Sequence, residues 1–520
     1  MAQRQDPVVI IGAGIGGLVG AALLAARGVP VTLIEWADHP GGKARQLPVG
    51  NVMVDAGPTV FTMRPIIDAI FAEAGATVDD HVALRRATRL ARHSWGHGER
   101  LDLFADFEES CDAIARFAGV KAAEGYRSFA AEARRIHGIL DKSFLQNSKT
   151  YPPGLMWRIG LWRIGALLAI RPYESLWKVL GEHFADPRLR QLFGRYTTYC
   201  GSSPFKTPAT LMLIAHAEAQ GVWEIAGGIS ALAQALANVA AANGATLRYG
   251  DGVAQILTAR GRAAGVALAS GERLAASAVL FNGDPAALGT GLLGPDVCAA
   301  ARATPVKARS LSAMVWLAHA RTSGFDLAHH NVFFSGDYPA EFDQLARGEV
   351  PHQPTAYVCA LDRGEGRAAP ADRERLQIIV NAPPNGDTHE YVAEERQKCT
   401  ANMLASLRRG GLELESGSPH HLLTPTDFSA RFPATGGALY GRASHGWAAS
   451  FLRPGSRTAI PGLYCAGGAT HPGAGVPMAA LSGKLAAHAL LSDLGLTKLS
   501  RPRAIAGGMS TRSATTGATA

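Results

Sequence analysis

An α/β fold built on a parallel sheet is predicted for this 520-residue chain by three observations. An apolar run, a Gly-rich turn, a helical stretch and a second apolar run follow one another at the N-terminus. A second strand, Gly-rich turn and helix recur near residue 470. Between them, residues 221–285 return to an alternating strand–helix pattern. A chain of this length exceeds what one hydrophobic core organises, so at least two domains are expected.

The first element is Val8-Val9-Ile10-Ile11, a short apolar run suited to a buried parallel strand. It enters Gly12-Ala13-Gly14-Ile15-Gly16-Gly17, which contains G-x-G-x-x-G at Gly12, Gly14 and Gly17. A helix over Leu18–Arg27 stops at Gly28, and Val31-Thr32-Leu33-Ile34 forms the second strand, ending at Glu35. Gly12 allows the tight turn, Gly14 lets the backbone approach a pyrophosphate, and Gly17 lets helix pack on strand. Unpaired N–H groups and the dipole at the helix N-terminus favour the phosphates. Glu35 can accept hydrogen bonds from a ribose diol and repels a 2′-phosphate. Strand, turn, helix, strand and acid in this order are the context that makes the motif a Rossmann-like dinucleotide site.

The second element starts at Ile460-Pro461-Gly462-Leu463-Tyr464-Cys465-Ala466, read as a strand. It runs into Gly467-Gly468-Ala469-Thr470-His471-Pro472-Gly473-Ala474-Gly475-Val476-Pro477-Met478, and a helix follows from Ala479 to about Leu491. A nicotinamide dinucleotide has no need of this segment. FAD does, because its flavin and ribityl half extends past the first helix and needs backbone donors of its own.

Other segments complete the pattern. Gly227-Gly228 precede a helix over Ile229–Ala242, Ala245–Tyr249 reads as a strand, and Gly252-Val253-Ala254-Gln255-Ile256 as another. Residues 71–220 read mainly as helices. Residues 286–450 carry alternating runs such as Ser312–Ala318 and Gln377–Ala382, consistent with a sheet.

Composition narrows the function classes. Hydrophobic residues make up 47% and charged residues 18%, as in a globular protein. The net charge of +8 comes without a Lys/Arg block or RNA-binding signature, so no nucleic-acid partner is expected. Six scattered cysteines show no metal-ligand spacing, which points to free thiols in a reducing cytosol and to no metal. The strand pattern begins right after Pro7, leaving no room for a signal peptide. Residues 496–520, rich in Ala, Gly, Ser and Thr, read as a disordered tail.

The motifs also carry a resemblance. Pro40-Gly41-Gly42-Lys43-Ala44-Arg45 and Asp55-Ala56-Gly57-Pro58-Thr59 resemble the GG-R and D-x-G signatures of the flavoprotein superfamily of amine oxidases and carotenoid desaturases. Gly468 to Pro477 is very similar to the C-terminal signature of bacterial phytoene-desaturase-type carotenoid desaturases. His216 to Trp223 with Gly227-Gly228 resembles their central segment, so the likeness spans about residues 7–495. Thr59–Arg64 and Ala438–Gly441 look like the branch acting on hydroxylated acyclic carotenoids, the 1-hydroxycarotenoid 3,4-desaturases; phytoene desaturase is the alternative.

The resemblance implies a discontinuous Rossmann-like FAD-binding domain of the amine-oxidase/carotenoid-desaturase type (1–75, 221–290 and 451–495), with a mixed sheet-and-helix substrate domain from 76–220 and 291–450. It implies cofactor contacts at Gly12, Gly14, Gly16, Gly17, Glu35, Gly57, Pro58, Val253, Gly467, Gly468, Gly475, Val476, Pro477 and Met478. Lys43 stands where many members have Arg, so the phosphate contact falls to Lys43 or to Arg45. Glu218 is the candidate acid/base group and His471 a second catalytic candidate beside the flavin; His216 reads as structural. The implied chemistry is flavin-dependent removal of two hydrogens from a lipid-dissolved acyclic carotenoid, with oxygen or a quinone as electron acceptor. A non-catalytic prenyl-lipid carrier on the same fold is the rival of another class, and intact Gly-rich turns at both ends argue against it. The implied place is the cytoplasmic surface of the inner (photosynthetic) membrane.

One segment bears on that last point. Gly154–Arg171 would span about 27 Å as a helix, close to the hydrocarbon thickness. Arg158 and Arg163 inside it each cost roughly 2.5–3.5 kcal/mol at a bilayer centre, so it does not cross. Trp157 and Trp162 with snorkelling Arg stems suit a segment lying at the headgroup level; a buried core helix is the other reading.

Overall fold

The computed structural model describes residues 6–148, 151–159 and 169–496. The N-terminal apolar run becomes the strand Val8–Ile11, at the centre of a five-stranded sheet. Its order is Thr246–Arg248, Val31–Ile34, Val8–Ile11, Ala278–Phe281, Leu463–Cys465, and every pairing is parallel. Segments hundreds of residues apart therefore meet in one layer. The central strands are apolar at every position because helices cover one face and a small meander the other. The helices Ile15–Ala26, Ile229–Ala242 and Val476–Asp493 share one core with the sheet. The antiparallel strands Val253–Ala259, Arg262–Leu268 and Arg273–Ala275 close the other side.

Two helices begin three residues earlier than the sequence pattern suggests. The first starts at Ile15 rather than Leu18, so Gly16 and Gly17 lie in its first turn. A Cβ on Gly17 would stand 2.1 Å from the Gly12 carbonyl oxygen, and one on Gly16 2.9 Å from the Gly467 nitrogen. Close packing, not helix propensity, places glycine there. The last helix starts at Val476 rather than Ala479, with Pro477 in the first turn, where its missing N–H costs nothing.

The second layer is a seven-stranded mixed sheet in the order His420–Leu423, Ser312–Ala320, Glu374–Ala382, Ala356–Ala360, His330–Phe333, Arg89–Gly96, Glu99–Phe104. All neighbours are antiparallel except His330–Phe333 with Arg89–Gly96. Residues 71–220, expected to be mainly helical, thus include three strands, Leu84–Arg86 and this hairpin. Leu101 and Leu103 alternate with outward residues in a half-buried strand pattern, and Arg92 pairs with Asp102 across the hairpin. Helices including Phe107–Ala118, Val120–Leu140 and Pro187–Gly194 then cover this sheet through a core rich in aromatic rings.

Of the segment Gly154–Arg171, residues up to Ile159 complete the helix Pro152–Ile159, and residues 160–168, which hold Trp162 and Arg163, lie outside the described residues. Leu155 is buried and Trp157 is 74% exposed. Among the described residues no helix is long and apolar enough to cross a membrane. The tail beyond 496 also lies outside the described residues.

Candidate functional site

A cavity of about 760 Å³ runs from the carboxyl end of the parallel sheet into the space beneath the seven-stranded sheet. The carboxyl ends of parallel strands are where such folds place their ligands. Its first half is made by backbone. Gly12 turns the chain at φ +97°, and Gly14 caps the helix Ile15–Ala26 with extended backbone, which leaves the helix N–H groups facing the cavity. Glu35 is buried, its carboxylate accepting from the Ala13 and Ala37 N–H groups at 2.7 and 3.0 Å. Those bonds fix the carboxylate at the cavity wall with lone pairs to spare.

The second Gly-rich turn meets the first. Gly467, Gly468 and Gly475 to Met478 line the same cavity. A Cβ on Gly468 would meet no other protein atom closer than 4.0 Å, so it would occupy the cavity itself. Asn282, at the end of the strand Ala278–Phe281, joins the turns. Its Nδ2 donates to the Gly12 carbonyl at 3.2 Å, and its buried Oδ1 has no partner among the described residues. Asn282 was not among the expected site residues; its mark in the sequence is a polar residue followed by Gly283 directly after an apolar run.

Arg453 was also missed. It is buried and donates to the carbonyls of Tyr440, Gly468 and Arg442 at 2.8, 3.4 and 2.6 Å, clasping the second turn to the 440–442 loop.

The two cationic candidates differ in what they hold. Lys43 Nζ donates to the Leu439 carbonyl at 2.6 Å, and burial lowers its pKa against the pull of Asp284. Arg45 is buried with Nε and Nη1 unpartnered among the described residues, and burial brings its pKa down to about 10. An uncompensated buried guanidinium is costly unless something anionic joins it.

Gly57 and Pro58 line the cavity next to Lys43 and Arg45. A Cβ on Gly57 would stand 1.9 Å from the Lys43 carbonyl oxygen. Gln377 Nε2 donates to the Gly57 carbonyl at 2.8 Å, tying this turn to the seven-stranded sheet. Val253 lines the same half, and Gly17 packs behind it rather than facing it.

Of the two catalytic candidates, Glu218 lines the cavity and His471 does not. Glu218 is buried and accepts from the Tyr196 hydroxyl at 2.6 Å and the Tyr199 hydroxyl at 2.8 Å. Burial raises its pKa, while the two tyrosine hydroxyls and Arg195 oppose the rise. His471 is buried beside the second turn, its Nε2 3.0 Å from the Phe144 carbonyl and its ring edge-on to Phe144. It anchors the loop from behind the cavity wall. His216 packs its ring 5.1 Å from that of His137.

The second half of the cavity is apolar, lined by side chains such as Leu213, Ile214, Val315 and Ile379. Among its polar lining residues, Arg195, Tyr199, Glu218 and Tyr357 are joined by hydrogen bonds and ring contacts. Elsewhere, strand register sets Cys359 opposite His330, with the His329 ring 3.6 Å from the Cys359 sulfur. Sequence spacing gives no hint of this imidazole–thiol cluster.

Helix N-termini for phosphates, an acid for a ribose and an apolar chamber beyond define the class: a flavin-binding oxidoreductase with a long apolar substrate. Comparison with known proteins agrees. The family model of flavin containing amine oxidoreductases matches residues 15–491. The hydroxyneurosporene desaturase of Rubrivivax gelatinosus is 50% identical, over 99% of this chain and 98% of its own. That of Rhodobacter capsulatus is 44% identical over 94% of this chain and 99% of its own. Solved structures share the fold: cyclohexylamine oxidase from Brevibacterium oxydans superposes with a TM-score of 0.54 at 15% identity, covering 95% of this chain and all of that one. An oxidoreductase from Methanosarcina mazei gives 0.58 at 17% identity, over 92% and 99%. The chain belongs to the flavin containing amine oxidoreductase family and, within it, to the carotenoid desaturases.

Proposed function

We infer that this chain is an FAD-dependent desaturase that forms the C3–C4 double bond of 1-hydroxylated acyclic carotenoids. The observation that carries the reading is the continuous cavity, with two backbone-lined turns at one end and an apolar chamber at the other. Half-identity to a hydroxyneurosporene desaturase over nearly the full length supports the substrate. Bound FAD supplies the chemistry by accepting a hydride from one carbon of the bond, and the substrate loses a proton from its neighbour.

The chain's own residues hold and align. Gly12, Gly14 and Gly16 with the helix N-terminus take the pyrophosphate, Glu35 the ribose diol, and Val253 the adenine end. We assign the phosphate contact to Arg45, whose orphaned N–H groups need an anion, rather than to Lys43, which already has the Leu439 carbonyl. Gly57, Pro58, Gly467, Gly468 and the first turn from Gly475 to Met478 face the flavin half. Residues 1–75, 221–290 and 451–495 form the cofactor part. Glu218, reached through Tyr199, is the group we assign to receive the proton. His471 shapes the loop.

A substrate dissolved in lipid calls for a membrane surface. Trp157, Tyr173, Trp447 and Leu452 are large apolar side chains left exposed, and we assign them to headgroup-level docking at the cytoplasmic face of the inner membrane. Oxygen or a quinone takes the electrons. The test of the cofactor assignment is to denature purified protein and separate what it releases. FAD in near-stoichiometric amount is expected; release of FMN or of no flavin overturns it.

A further inference from the structure

Arg195 is the unexpected charge in the apolar half of the cavity. It opens the turn Arg195–Cys200, just after the helix Pro187–Gly194. Arg195 is half-buried and opens on the cavity. Among the described residues it makes a single hydrogen bond, a long one from Nη1 to the Tyr199 hydroxyl at 3.5 Å. Its other neighbours are ring faces, Tyr199 at 5.3 Å and Tyr357 at 5.2 Å. A guanidinium carries five N–H donors, so most of these have no protein partner. A pure hydrocarbon filling the cavity would displace water from these donors and leave them unpaired, which carries a cost. A ligand with an oxygen at this point relieves it.

Resting on the desaturase reading above and deepening it, we propose that Arg195 recognises the tertiary C1 hydroxyl of the substrate by donating to its oxygen. Position supports this. In a C3–C4 desaturation the hydroxyl is separated from C3 only by C1 and C2, so its partner must stand beside the reacting bond. Tyr357, whose ring packs on the guanidinium, donates its hydroxyl to Thr59 at 2.8 Å. Thr59 follows Gly57 and Pro58, assigned above to the flavin half. Arg195 is thus one tyrosine away from the expected flavin.

Charge balance explains why the group comes as a set. A bare cation beside carbons that lose a hydride would oppose the positive charge developing there. The Tyr199 hydroxyl bridges Arg195 to the Glu218 carboxylate, which offsets that charge while taking only one long hydrogen bond from the guanidinium. Such a site also rejects the polyene lacking the hydroxyl, because the guanidinium is then left unpaired.

The test uses purified holoenzyme with carotenoid in liposomes. kcat/KM is measured for a 1-hydroxylated acyclic carotenoid and for the same polyene without the hydroxyl. Arg195→Met is expected to lower the ratio of the two by about tenfold or more, with Arg195→Lys recovering part of it. Tyr199→Phe, which frees the guanidinium from its bridge, should give an intermediate ratio. A purely structural role would slow both substrates in parallel and leave the ratio alone. A ratio within about twofold of wild type in Arg195→Met overturns the proposal and leaves the desaturase reading intact. If that variant loses flavin, an unchanged ratio in both Arg195→Lys and Tyr199→Phe overturns it equally. Wild-type enzyme that converts neither polyene overturns both.

Discussion

Replacing Gly17 by Ala should weaken flavin binding from behind the site, without touching the cofactor. The added Cβ would lie 2.1 Å from the Gly12 carbonyl oxygen and 2.9 Å from Asn282 Nδ2. The first contact is more than ~1 Å short of ordinary van der Waals separation. Neither neighbour is the free end of a long side chain, so the helix Ile15–Ala26 must back away from the strand. Overpacking of this kind costs roughly 1–3 kcal/mol of stability. The same shift withdraws the helix N-terminus from the phosphates and disturbs Asn282, which links both Gly-rich turns. Weakening one charge-assisted hydrogen bond there corresponds to an affinity loss of about tenfold to a hundredfold. Gly28→Ala is the matched control: its φ of +76° makes Ala strained by roughly 1–2 kcal/mol, yet nothing lies within 4 Å of the added Cβ. The assay is titration of apoprotein with FAD by flavin fluorescence, alongside thermal unfolding. Both variants should unfold at lower temperature, and only Gly17→Ala should lose affinity. Wild-type affinity in Gly17→Ala, or equal losses in both variants, would refute the reasoning.

Arg45→Met should weaken FAD binding at least tenfold while leaving the apoprotein as stable as wild type or more so, because it removes a buried cation whose Nε and Nη1 have no partner among the described residues; an apoprotein clearly destabilised with FAD affinity intact contradicts the assignment. Trp157→Ser combined with Trp447→Ser should reduce co-sedimentation with anionic liposomes without loss of bound flavin, and unchanged sedimentation rules out this docking face. Burial depresses the pKa of His93 from 6.5 to about 4. Between those values the unfolded chain binds the extra proton, so stability is present above pH 6.5 and lost as pH falls toward 4. At pH 4.5 the His93 contribution is about 2–3 kcal/mol, so His93→Gln should show a correspondingly shallower loss in urea unfolding between pH 7 and 4.5; parallel curves contradict it.

What could be read from the chain was local and backbone-driven. The turns at Gly12–Gly17 and Gly467–Met478 carry their function in glycine spacing, strand and helix order, and these are visible in sequence. The parallel strands Val8–Ile11 and Val31–Ile34 were likewise legible, since burial on both faces makes them apolar except at the half-buried Thr32. The hairpin Arg89–Phe104 was not, because its Arg and Asp residues pair across strands and blur the alternation. Arg453 and Tyr357 were invisible for a different reason: each acts on a group more than ten residues away, through contacts only the folded chain creates. His471 sits in a flavin-side motif, where chemistry or loop shaping were both open, and its ring turns to the Phe144 carbonyl rather than lining the cavity.

The central claim is tested most directly by one side-by-side assay. The holoenzyme is given a 1-hydroxylated acyclic carotenoid and phytoene in the same liposomes, and each product is separated by chromatography and scored by the red shift of its absorption spectrum. The account predicts that the hydroxylated carotenoid gains one conjugated double bond while phytoene stays unconverted or nearly so. Efficient conversion of phytoene with neglect of the hydroxylated carotenoid would contradict it.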